Sequence, residues 1–227
     1  MLCTGRVAQG RLFRPDASGS DVNLLYNMSI YYSFTTDYYN LHASEFAART
    51  FELDLSAVQN HFTSHLRPGM RILDFGCGSG RDSLYFLSQG FKVDAIDGSA
   101  EMCRIASDRT GIPVQQMLFE DFSASSQYDA IWACASLLHL PCNEIKRVLS
   151  ALTEALRPNG ILYTSFKYGT FEGERNGRYF VDMTPASFAQ LLHEAEIPHL
   201  LQEEVWLTED IRADRTEKWL NVILRRN

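Results

Sequence analysis

Apolar positions along the central part of the chain follow two periods that alternate. Short apolar runs typical of buried strands are separated by stretches in which apolar residues recur every three or four positions, as on one face of a helix. This alternation predicts βαβ units, and therefore a parallel sheet covered by helices on both faces. The predicted elements are strand 71–75, helix 82–89, strand 91–96, helix 100–109, strand 113–118, strand 128–134, helix 143–156 and strand 160–166.

The pattern changes on both sides of this central region. Residues 44–66 show a helical period that predicts one or two amphipathic helices. A polar, glycine-containing loop on the substrate side is expected over 167–183, followed by a helix that begins near Thr184. Two final β runs, near 199–207 and 219–225, have no helix between them and should pair antiparallel. We therefore predict a doubly wound α/β sheet of about seven strands, mostly parallel, with an antiparallel hairpin at one edge.

Length and composition fit one such domain. The chain has 227 residues, 45% of them hydrophobic, which is enough for a single core. Its formal charge of −7 gives no general attraction to a phosphate backbone, so a nucleic-acid partner is disfavoured. No apolar run approaches the roughly 20 residues that span a bilayer, and no secretory signal is visible, so we expect a cytoplasmic protein without a membrane partner. Five scattered cysteines, without a C-x-x-C pair, fit a reducing compartment.

The N-terminal residues are less regular than the rest. Residues 1–27 are rich in Gly, Arg and Ser, have no clear period, and precede an internal methionine, Met28, that would suit a start codon. We interpret 1–27 as a weakly ordered extension, with an arm packed on the domain as the alternative, and 28–227 as the domain itself. Residues 28–67 are expected to form a helical lid. The sequence leaves the oligomeric state open.

A glycine-rich turn follows the first strand of the central region. The segment Ile72-Leu73-Asp74-Phe75-Gly76-Cys77-Gly78-Ser79-Gly80 runs from a buried strand towards a helix whose free amides suit an anion. Such a turn alone is as consistent with packing as with binding. Its glycines follow a G-x-G-x-G spacing, and Arg81 stands where a dinucleotide fingerprint has its third glycine, so a pyrophosphate cradle is the less favoured ligand. An NAD(P)-dependent oxidoreductase is therefore kept as the enzymatic alternative.

The segment from Asp74 to Gly80 resembles motif I of the class I S-adenosylmethionine-dependent methyltransferases, which have a Rossmann-like fold. In that family the loop wraps the methionine part of S-adenosyl-L-methionine, and the resemblance implies the same cofactor here. The loop residues that it implies as cofactor contacts are Asp74, Gly76, Cys77, Gly78 and Gly80.

Acidic residues also follow the second and third strands. Asp97 ends the second strand roughly 20 residues after the glycine loop, where a carboxylate accepts hydrogen bonds from ribose hydroxyls; a helix cap is the less favoured interpretation. By the family resemblance, Asp121 accepts from the adenine amino group, with an ordinary acidic turn residue as the alternative. Leu118 and Phe122 flank this turn, where they can sandwich the purine ring. The other cofactor contacts expected at these strand ends are Gly98, Ser99, Met102 and Glu120.

Two later segments extend the resemblance. Tyr128-Asp129-Ala130-Ile131-Trp132-Ala133-Cys134 is similar to the family's motif IV strand, which implies that Cys134 and the loop after it lie beside the sulfonium. Leu156-Arg157-Pro158-Asn159-Gly160 is similar to the family's turn into its fifth strand. The resemblance thus covers about residues 71–166. Within residues 73–97 the chain looks like the branch that contains tellurite-resistance and related small-molecule methyltransferases.

Methyl transfer from a sulfonium is an in-line displacement that depends on positioning, so a general base is optional. If the acceptor loses a proton, His139 is the first candidate for the base, with a packing role as an equal alternative. Tyr39, in an aromatic stretch, is expected near the cofactor, and Arg49 is expected at the methionine carboxylate. Surface packing of this stretch is an equally good interpretation.

Positive charges in the loop after the last parallel strand suggest how an acceptor is bound. Lys167, Arg175 and Arg178 lie where substrates enter such folds, and they are candidates for contacts with an anionic acceptor. A solvated charged loop is the commoner explanation of such a run. The three residues therefore have two interpretations, as acceptor contacts or as a solvated surface loop.

Two further motifs are set aside. His61 and His65 have the i, i+4 spacing of a helical metal site, but no H-E-x-x-H glutamate or nearby third ligand accompanies them, so we expect no metal. Pro141-Cys142 resembles the nucleophile of cytosine-C5 methyltransferases but lies well past the strand end. We predict an S-adenosylmethionine-dependent methyltransferase that acts on a small-molecule acceptor. A non-catalytic regulatory protein that binds S-adenosylmethionine is the second alternative.

Overall fold

Helices and strands alternate through the part of the chain that the computed structural model describes, residues 34–212 and 214–227. The extension expected over 1–27 lies outside the described residues and stays a prediction. The described helices are α1 (34–41), α2 (Ala43–Thr50), α3 (Ser56–Thr63), α4 (Arg81–Ser88), α5 (Ala100–Thr110), α6 (Cys142–Ala155) and α7 (Pro185–Ala195). The described strands are β1 (Arg71–Phe75), β2 (Lys92–Asp97), β3 (Val114–Gln116), β4 (Tyr128–Ala133), β5 (Leu156–Lys167), β6 (Glu172–Arg175), β7 (Arg178–Val181), β8 (Leu200–Glu209) and β9 (Lys218–Arg226).

Seven of these strands form one sheet in the order β3-β2-β1-β4-β5-β9-β8. The neighbours among β1 to β5 are parallel, whereas β9 runs antiparallel to both β5 and β8. This arrangement confirms the predicted sheet, including its antiparallel edge. The direction in which strands are added reverses between β1 and β4. Open α/β sheets bind their ligands outside the carboxyl ends of the strands at such a switch point.

Apolar side chains pack against both faces of the sheet, because successive residues of a strand point to opposite faces. Leu73 and Ile131 belong to a core cluster that includes α6 and α7. Their neighbours Ile72 and Trp132 belong to the cluster on the other face, which includes α3 and α4. Trp132 is fully buried there and stacks on Tyr163, with ring centroids 4.0 Å apart. Helices therefore cover both faces, as the alternating pattern predicted.

The segment 167–183, which we expected to be a loop, contains a small two-stranded sheet. Strands β6 and β7 pair antiparallel around Asn176 and Gly177, whose φ angles are +55° and +74°. A turn with positive φ at both central residues is a type I′ hairpin turn, for which Asn-Gly is the preferred sequence. This segment is therefore a hairpin rather than a loop. The Asn-Gly pair in its sequence indicates the hairpin turn, although the residues around it are strongly charged.

The start of β5 also differs from expectation. The strand begins at Leu156, and its register with β4 shifts between Tyr128 and Ala130. Gly160 is needed within it because a Cβ at this position would lie only 2.8 Å from the carbonyl oxygen of Arg157. The expected turn is therefore an irregular first part of β5.

Helices α1 to α3 lie near the carboxyl ends of the parallel strands. Tyr39 of α1, Phe46 of α2 and Val58 of α3 all line the cleft that opens there. The expected role of residues 28–67 as a lid concerns movement, and it stays a prediction. Among the described residues, no helix combines the length and apolar character needed to cross a membrane.

Candidate functional site

The carboxyl ends of β1, β2, β4 and β5 open into a cleft of about 480 Å³. Its wall is completed by α1 to α3, by the β6–β7 hairpin and by the turn between β8 and β9. Sites for small molecules usually measure about 300 to 1,000 Å³ and lie at such switch points. The cleft therefore has the size and position expected for a small ligand.

The glycine loop after β1 forms one side of the cleft. At Gly76 the φ angle is +83°, and a Cβ would lie 2.6 Å from the Cβ of Ser136. The amides of Gly76 and Cys77 both donate to the carbonyl oxygen of Ile96, at 3.0 Å each. Only glycine lets the chain turn here while the backbone stays this close to the strands on either side. The loop thereby exposes the backbone of Gly76, Cys77 and Gly78 to the cleft, as we expected.

Asp97, at the carboxyl end of β2, connects this loop to the next helix. Its two carboxylate oxygens accept hydrogen bonds from the backbone amides of Gly78 and Ser99, each at 2.9 Å. Burial raises the pKa of Asp97, and the bonds from the two amides oppose that rise. A carboxylate has about four acceptor sites, so two are left for a ligand. Gly98, Ser99 and Met102 line the cleft beside it, in agreement with their predicted positions.

The segment after β3 places its residues differently from our expectation. Leu118 and Phe119 line the cleft, and Phe119 stacks on Phe75 with ring centroids 4.4 Å apart. Phe122, which we expected at the purine ring, is instead 7% exposed and packs edge-on against Phe75 in the core. The residues of this segment that are exposed and lie outside the cleft wall are Glu120 and Asp121. A short 3-10 turn causes this difference, because it turns Phe119 rather than Phe122 towards the cleft.

Elsewhere in the cleft wall, Tyr39 and His139 form a hydrogen-bonded pair. The Nδ1 of His139 lies 2.7 Å from the carbonyl oxygen of Tyr179, which only accepts, so Nδ1 carries the proton. His139 Nε2 therefore accepts the hydrogen bond from Tyr39 Oη, at 3.0 Å. Burial, together with the charges of Arg178 and Lys167, lowers the pKa of His139 to about 4. The imidazole is thus neutral near pH 7, and its one free lone pair is directed at a tyrosine hydroxyl.

Comparison with known proteins agrees with this geometry. Residues 72–160 match the family model described as a methyltransferase domain. This part of the chain is therefore similar to methyltransferase domains. The chain is 31% identical over 136 residues to the malonyl-[acyl-carrier protein] O-methyltransferase of Salmonella typhimurium, covering 58% of this chain and 52% of that protein. It is 29% identical over 167 residues to the ubiquinone biosynthesis O-methyltransferase of Xylella fastidiosa, covering 67% of each. The chain therefore spans about half to two thirds of the length of these curated relatives.

Solved structures share the fold of this chain. One is the Burkholderia thailandensis 1,6-didemethyltoxoflavin-N1-methyltransferase with bound 1,6-didemethyltoxoflavin and S-adenosylhomocysteine. It has a TM-score of 0.66 at 20% identity and covers 95% of this chain and 93% of that one. Another is the [4+2]-cyclase SpnF, with a TM-score of 0.61 at 16% identity, covering 75% and 80%. At these identities the likeness shows the Rossmann-like fold but not the reaction, because one fold hosts many functions.

Asp74, the acidic residue before the glycine loop, lies behind that loop rather than in the cleft wall. It is 2% exposed and accepts a hydrogen bond of 2.6 Å from Ser83 Oγ. Burial and the charge of nearby Asp82 raise the pKa of Asp74 to about 8. Its carboxyl group fastens the start of α4 to β1. Gly80 also lies outside the wall, where a Cβ would come within 2.9 Å of the side chain of Thr110.

Arg81 and Asp82 form a buried ion pair at the start of α4. Arg81 Nε and Nη2 donate to the two carboxylate oxygens of Asp82, at 2.8 and 2.9 Å. Gln59 Nε2 and Trp132 Nε1 donate to the same carboxylate, at 2.7 and 2.9 Å. Burial raises the pKa of Asp82, but Arg81 and these donors outweigh it and lower the pKa overall. Both residues line the cleft. Arg81, which stands where a dinucleotide fingerprint has its third glycine, is therefore part of the site.

We expect Asp82→Asn to lower the free energy of unfolding by about 3 kcal/mol, because it leaves the Arg81 charge buried without its partner. Urea denaturation measures this change. The control is Asp108→Asn, which breaks a 3.2 Å ion pair to Arg104 whose aspartate side chain is 70% exposed. We expect about 0.5 kcal/mol or less there. Equal losses of unfolding free energy in the two variants would show that the buried ion pair stabilises the fold no more than the exposed one.

The three predicted acceptor contacts all line the cleft, but they differ in their partners. Lys167 Nζ pairs with Glu217 at 3.1 Å, and Arg175 pairs with Asp182 at 2.9 Å. Arg178 has no acidic partner among residues 34–212 and 214–227. Of these three residues, Arg178 is therefore the one whose positive charge is available to a ligand.

Aromatic rings surround the Arg178 guanidinium. Its central carbon lies 4.4 Å from the ring centroid of Tyr38 and 5.1 Å from that of Phe180. Arg178 Nη1 donates to Tyr39 Oη at 3.3 Å, while the buried Nε has no hydrogen-bond partner in the described part of the chain. The rings hold the guanidinium in place by cation–π contact, next to the Tyr39–His139 pair.

Two other predicted cofactor contacts end up in contrasting positions. Arg49 lies on the surface of α2 with a side chain that is 62% exposed, and it pairs with Glu45 at 3.3 Å away from the cleft wall. Cys134 lines the cleft at the end of β4. Burial and the charge of Asp82 raise the pKa of its thiol to about 12, so it is uncharged near pH 7.

Several residues of the cleft wall were not predicted. Ser136 lies in the loop after β4 that we expected beside the sulfonium, although it was not singled out there; its buried Oγ has no partner among the described residues. Arg212 and Arg215 come from the turn between β8 and β9, and Arg212 pairs with Asp210. No motif ties that distant turn to the glycine loop, so the sequence gives no signal for these two arginines.

Proposed function

We propose that the protein transfers a methyl group from S-adenosylmethionine to a small-molecule acceptor bound in this cleft. The observation that carries this proposal is the position of Asp97. Its carboxylate stands at the end of β2, holds the glycine loop through the Gly78 amide and lines the cleft. Two free acceptor sites on such a carboxylate suit the two hydroxyls of a ribose. The methyltransferase names of the relatives support the same conclusion.

The cleft wall on either side of Asp97 fits an adenosyl sulfonium compound. Met102, Leu118 and Phe119 offer apolar surface for a purine ring. Tyr39, which lines the same cleft, offers an aromatic ring, which attracts a positive charge. Bound in this orientation, S-adenosylmethionine would supply an electrophilic methyl group near the Tyr39–His139 pair.

Arg81 is our candidate for the methionine carboxylate, in place of Arg49. Two of its guanidinium nitrogens are held by Asp82, while Nη1 makes only a 3.5 Å contact with the carbonyl oxygen of Thr50. A guanidinium fixed in this way presents its remaining N–H groups in one direction, which suits a carboxylate. Arg49, by contrast, is exposed, pairs with Glu45 and lies outside the cleft wall.

The acceptor proton has a route out through Tyr39. In our proposal the acceptor oxygen would take the methyl group while the S–CH3 bond of the cofactor breaks and S-adenosylhomocysteine leaves with the electron pair. The acceptor oxygen then gives its proton to Tyr39 Oη, and Tyr39 gives its own proton to His139 Nε2. His139 is a weak base because burial lowers its pKa to about 4. An alkylated oxygen is a far stronger acid than the free acceptor, so a weak, neutral base at this point is sufficient.

Arg178 suggests the kind of acceptor. Its charge is not neutralised by an acidic residue in the described chain, and it lies among Tyr38, Tyr39 and Phe180. We infer a planar or carboxylate-bearing acceptor that carries negative charge beside the oxygen to be methylated. The names of both curated relatives specify O-methylation, which supports oxygen as the acceptor atom. The branch of tellurite-resistance-type enzymes stays a prediction.

We expect Arg178→Gln to raise the KM for an anionic acceptor by about 10- to 100-fold, because a charged hydrogen bond contributes about 1.5 to 3 kcal/mol. The dissociation constant of S-adenosylhomocysteine should stay within about twofold, since we assign this guanidinium to the acceptor and not to the cofactor. The control is Arg104→Gln, an exposed arginine on α5. If Arg178→Gln weakened S-adenosylhomocysteine and acceptor equally, Arg178 would belong to the cofactor site.

The proposed function is tested by combining binding with turnover. Calorimetry with S-adenosylmethionine, S-adenosylhomocysteine and NADH should show binding of the first two only. Labelled S-adenosylmethionine, screened against carboxylate, phenol and metalloid oxyanion acceptors, should then show transfer of label. Binding of NADH alone would favour the oxidoreductase, and binding without transfer to any acceptor would favour a regulatory protein.

A further inference from the structure

A second cluster of ligating side chains lies outside the cleft wall. His61 Nε2 lies 2.7 Å from one carboxylate oxygen of Glu204, and His65 Nε2 lies 3.1 Å from the other. The ligating atoms of these three residues all lie within 4.8 Å of one another. The sequence offered the histidine pair without a third ligand. The structure supplies that third ligand from β8, which corrects our expectation of a bare helix face.

The local structure of both elements brings the cluster together. His61 is in the last turn of α3 and His65 is one turn farther on, so the two rings lie on one side, with centroids 5.8 Å apart. Trp206, two residues after Glu204 on β8, packs on the His61 ring at 4.7 Å. These contacts fix the imidazoles relative to the sheet.

An irregularity in β8 turns Glu204 towards α3. The register with β9 passes from Gln202 directly to Glu204, so one extra residue is inserted between them. Leu200 and Val205 pack in the same core cluster although they are five positions apart, whereas Trp206 packs in the cluster of α3. Without the inserted residue, alternation along the strand would leave Glu204 on the face opposite α3. Bulges commonly redirect a side chain in this way at functional positions.

We infer that His61, His65 and Glu204 form a binding site for a divalent transition-metal ion, with Zn²⁺ as its reference ligand. Two imidazoles and one carboxylate are a known donor set for zinc, with a fourth position left to water. Bond lengths of about 2.0 to 2.1 Å place tetrahedral ligands about 3.3 Å apart, so small side-chain rotations suffice. Each Nε2 would use its lone pair for the metal and keep its ring proton on Nδ1.

A bound ion would join α3 to the edge strand β8. Val58 at the start of α3 and Thr208 near the end of β8 both line the cleft, so the cross-link would hold two parts of its wall together. The ion would stabilise the folded chain, because only the folded chain brings the three ligands together. The inference does not depend on the proposed methyl transfer.

Calorimetric titration of the full, metal-stripped and reduced chain with Zn²⁺ tests this site. We expect saturable binding of about one ion per chain and a higher melting temperature. His61→Gln and Glu204→Gln should each raise the dissociation constant at least about tenfold. His193→Gln, which removes an exposed histidine from α7, is the matched control and should bind like the parent chain. Circular dichroism of each variant shows that its fold is kept.

Cobalt provides a second readout that also identifies the ligands. Co²⁺ bound by nitrogen and oxygen should give weak visible bands that disappear in His61→Gln. Intense thiolate-to-cobalt bands would instead place the ion on a cysteine such as Cys142 and would overturn the assignment. Absence of saturable Zn²⁺ binding, or equal affinity in the parent and all variants, would show that the three residues form only a hydrogen-bonded link between α3 and β8.

Discussion

Asp97→Ala should weaken binding of S-adenosylhomocysteine by about 10- to 100-fold. The carboxylate is expected to accept hydrogen bonds from the ribose, and a hydrogen bond to a charged group contributes about 1.5 to 3 kcal/mol. It also holds the amides of Gly78 and Ser99, so its removal loosens the glycine loop at the same time. Calorimetry with S-adenosylhomocysteine measures the change without requiring an acceptor.

Asp94→Ala is the matched control for this prediction. Asp94 lies on the same strand β2, pairs with Arg71 at 2.7 Å, and lies outside the cleft wall. It should leave the dissociation constant within about twofold, because it removes a partly exposed ion pair of small energy. If Asp97→Ala bound S-adenosylhomocysteine as tightly as Asp94→Ala, the assignment of Asp97 to the ribose would be refuted.

The sequence predicted those parts of the site whose residues directly follow or end a predicted strand. Gly76 and Gly78 need positive φ angles in a turn that directly follows a buried strand, and Asp97 ends the next strand. The carboxyl ends of parallel neighbours meet at one edge, so alternation of strands and helices is enough to bring these residues together. The same argument placed Cys134 correctly at the cleft, because it follows β4 directly.

Residues that depend on contacts between distant segments were beyond such reasoning. Phe119 and Phe122 both flank the same acidic pair, and only the short 3-10 turn decides which ring faces the cleft. Glu204 reaches His61 because one residue is inserted in β8, which no periodicity of the sequence shows. Periodicity fixes the face of a regular element, and each of these differences arises where an element is irregular.

Tyr39→Phe and His139→Gln should each lower kcat by about 10²- to 10⁴-fold for an acceptor that loses a proton, with little change in the affinity for S-adenosylhomocysteine. Because Tyr39 and His139 share one hydrogen bond of 3.0 Å, the double variant should be little worse than either single one. Single-turnover measurements separate this effect from product release. Additive losses in the double variant would contradict a shared proton route and would assign the two residues to independent tasks.

The pH dependence gives the sharper test of the same pair. Burial lowers the pKa of His139 to about 4, so the neutral imidazole that accepts a proton is present at every pH above that value. The kcat of the parent chain should therefore stay level from about pH 8 down to about pH 5.5, and fall only as the pH approaches the folded-state pKa. A histidine with its ordinary pKa of about 6.5 would already lose most of the activity at pH 5.5. An inflection near pH 6.5 that disappears in His139→Gln would show that the imidazole is solvated in the working enzyme. The hydrogen bonds of His139 to Tyr39 Oη and to the Tyr179 carbonyl oxygen require a neutral imidazole, which a pKa of about 4 provides over this whole pH range.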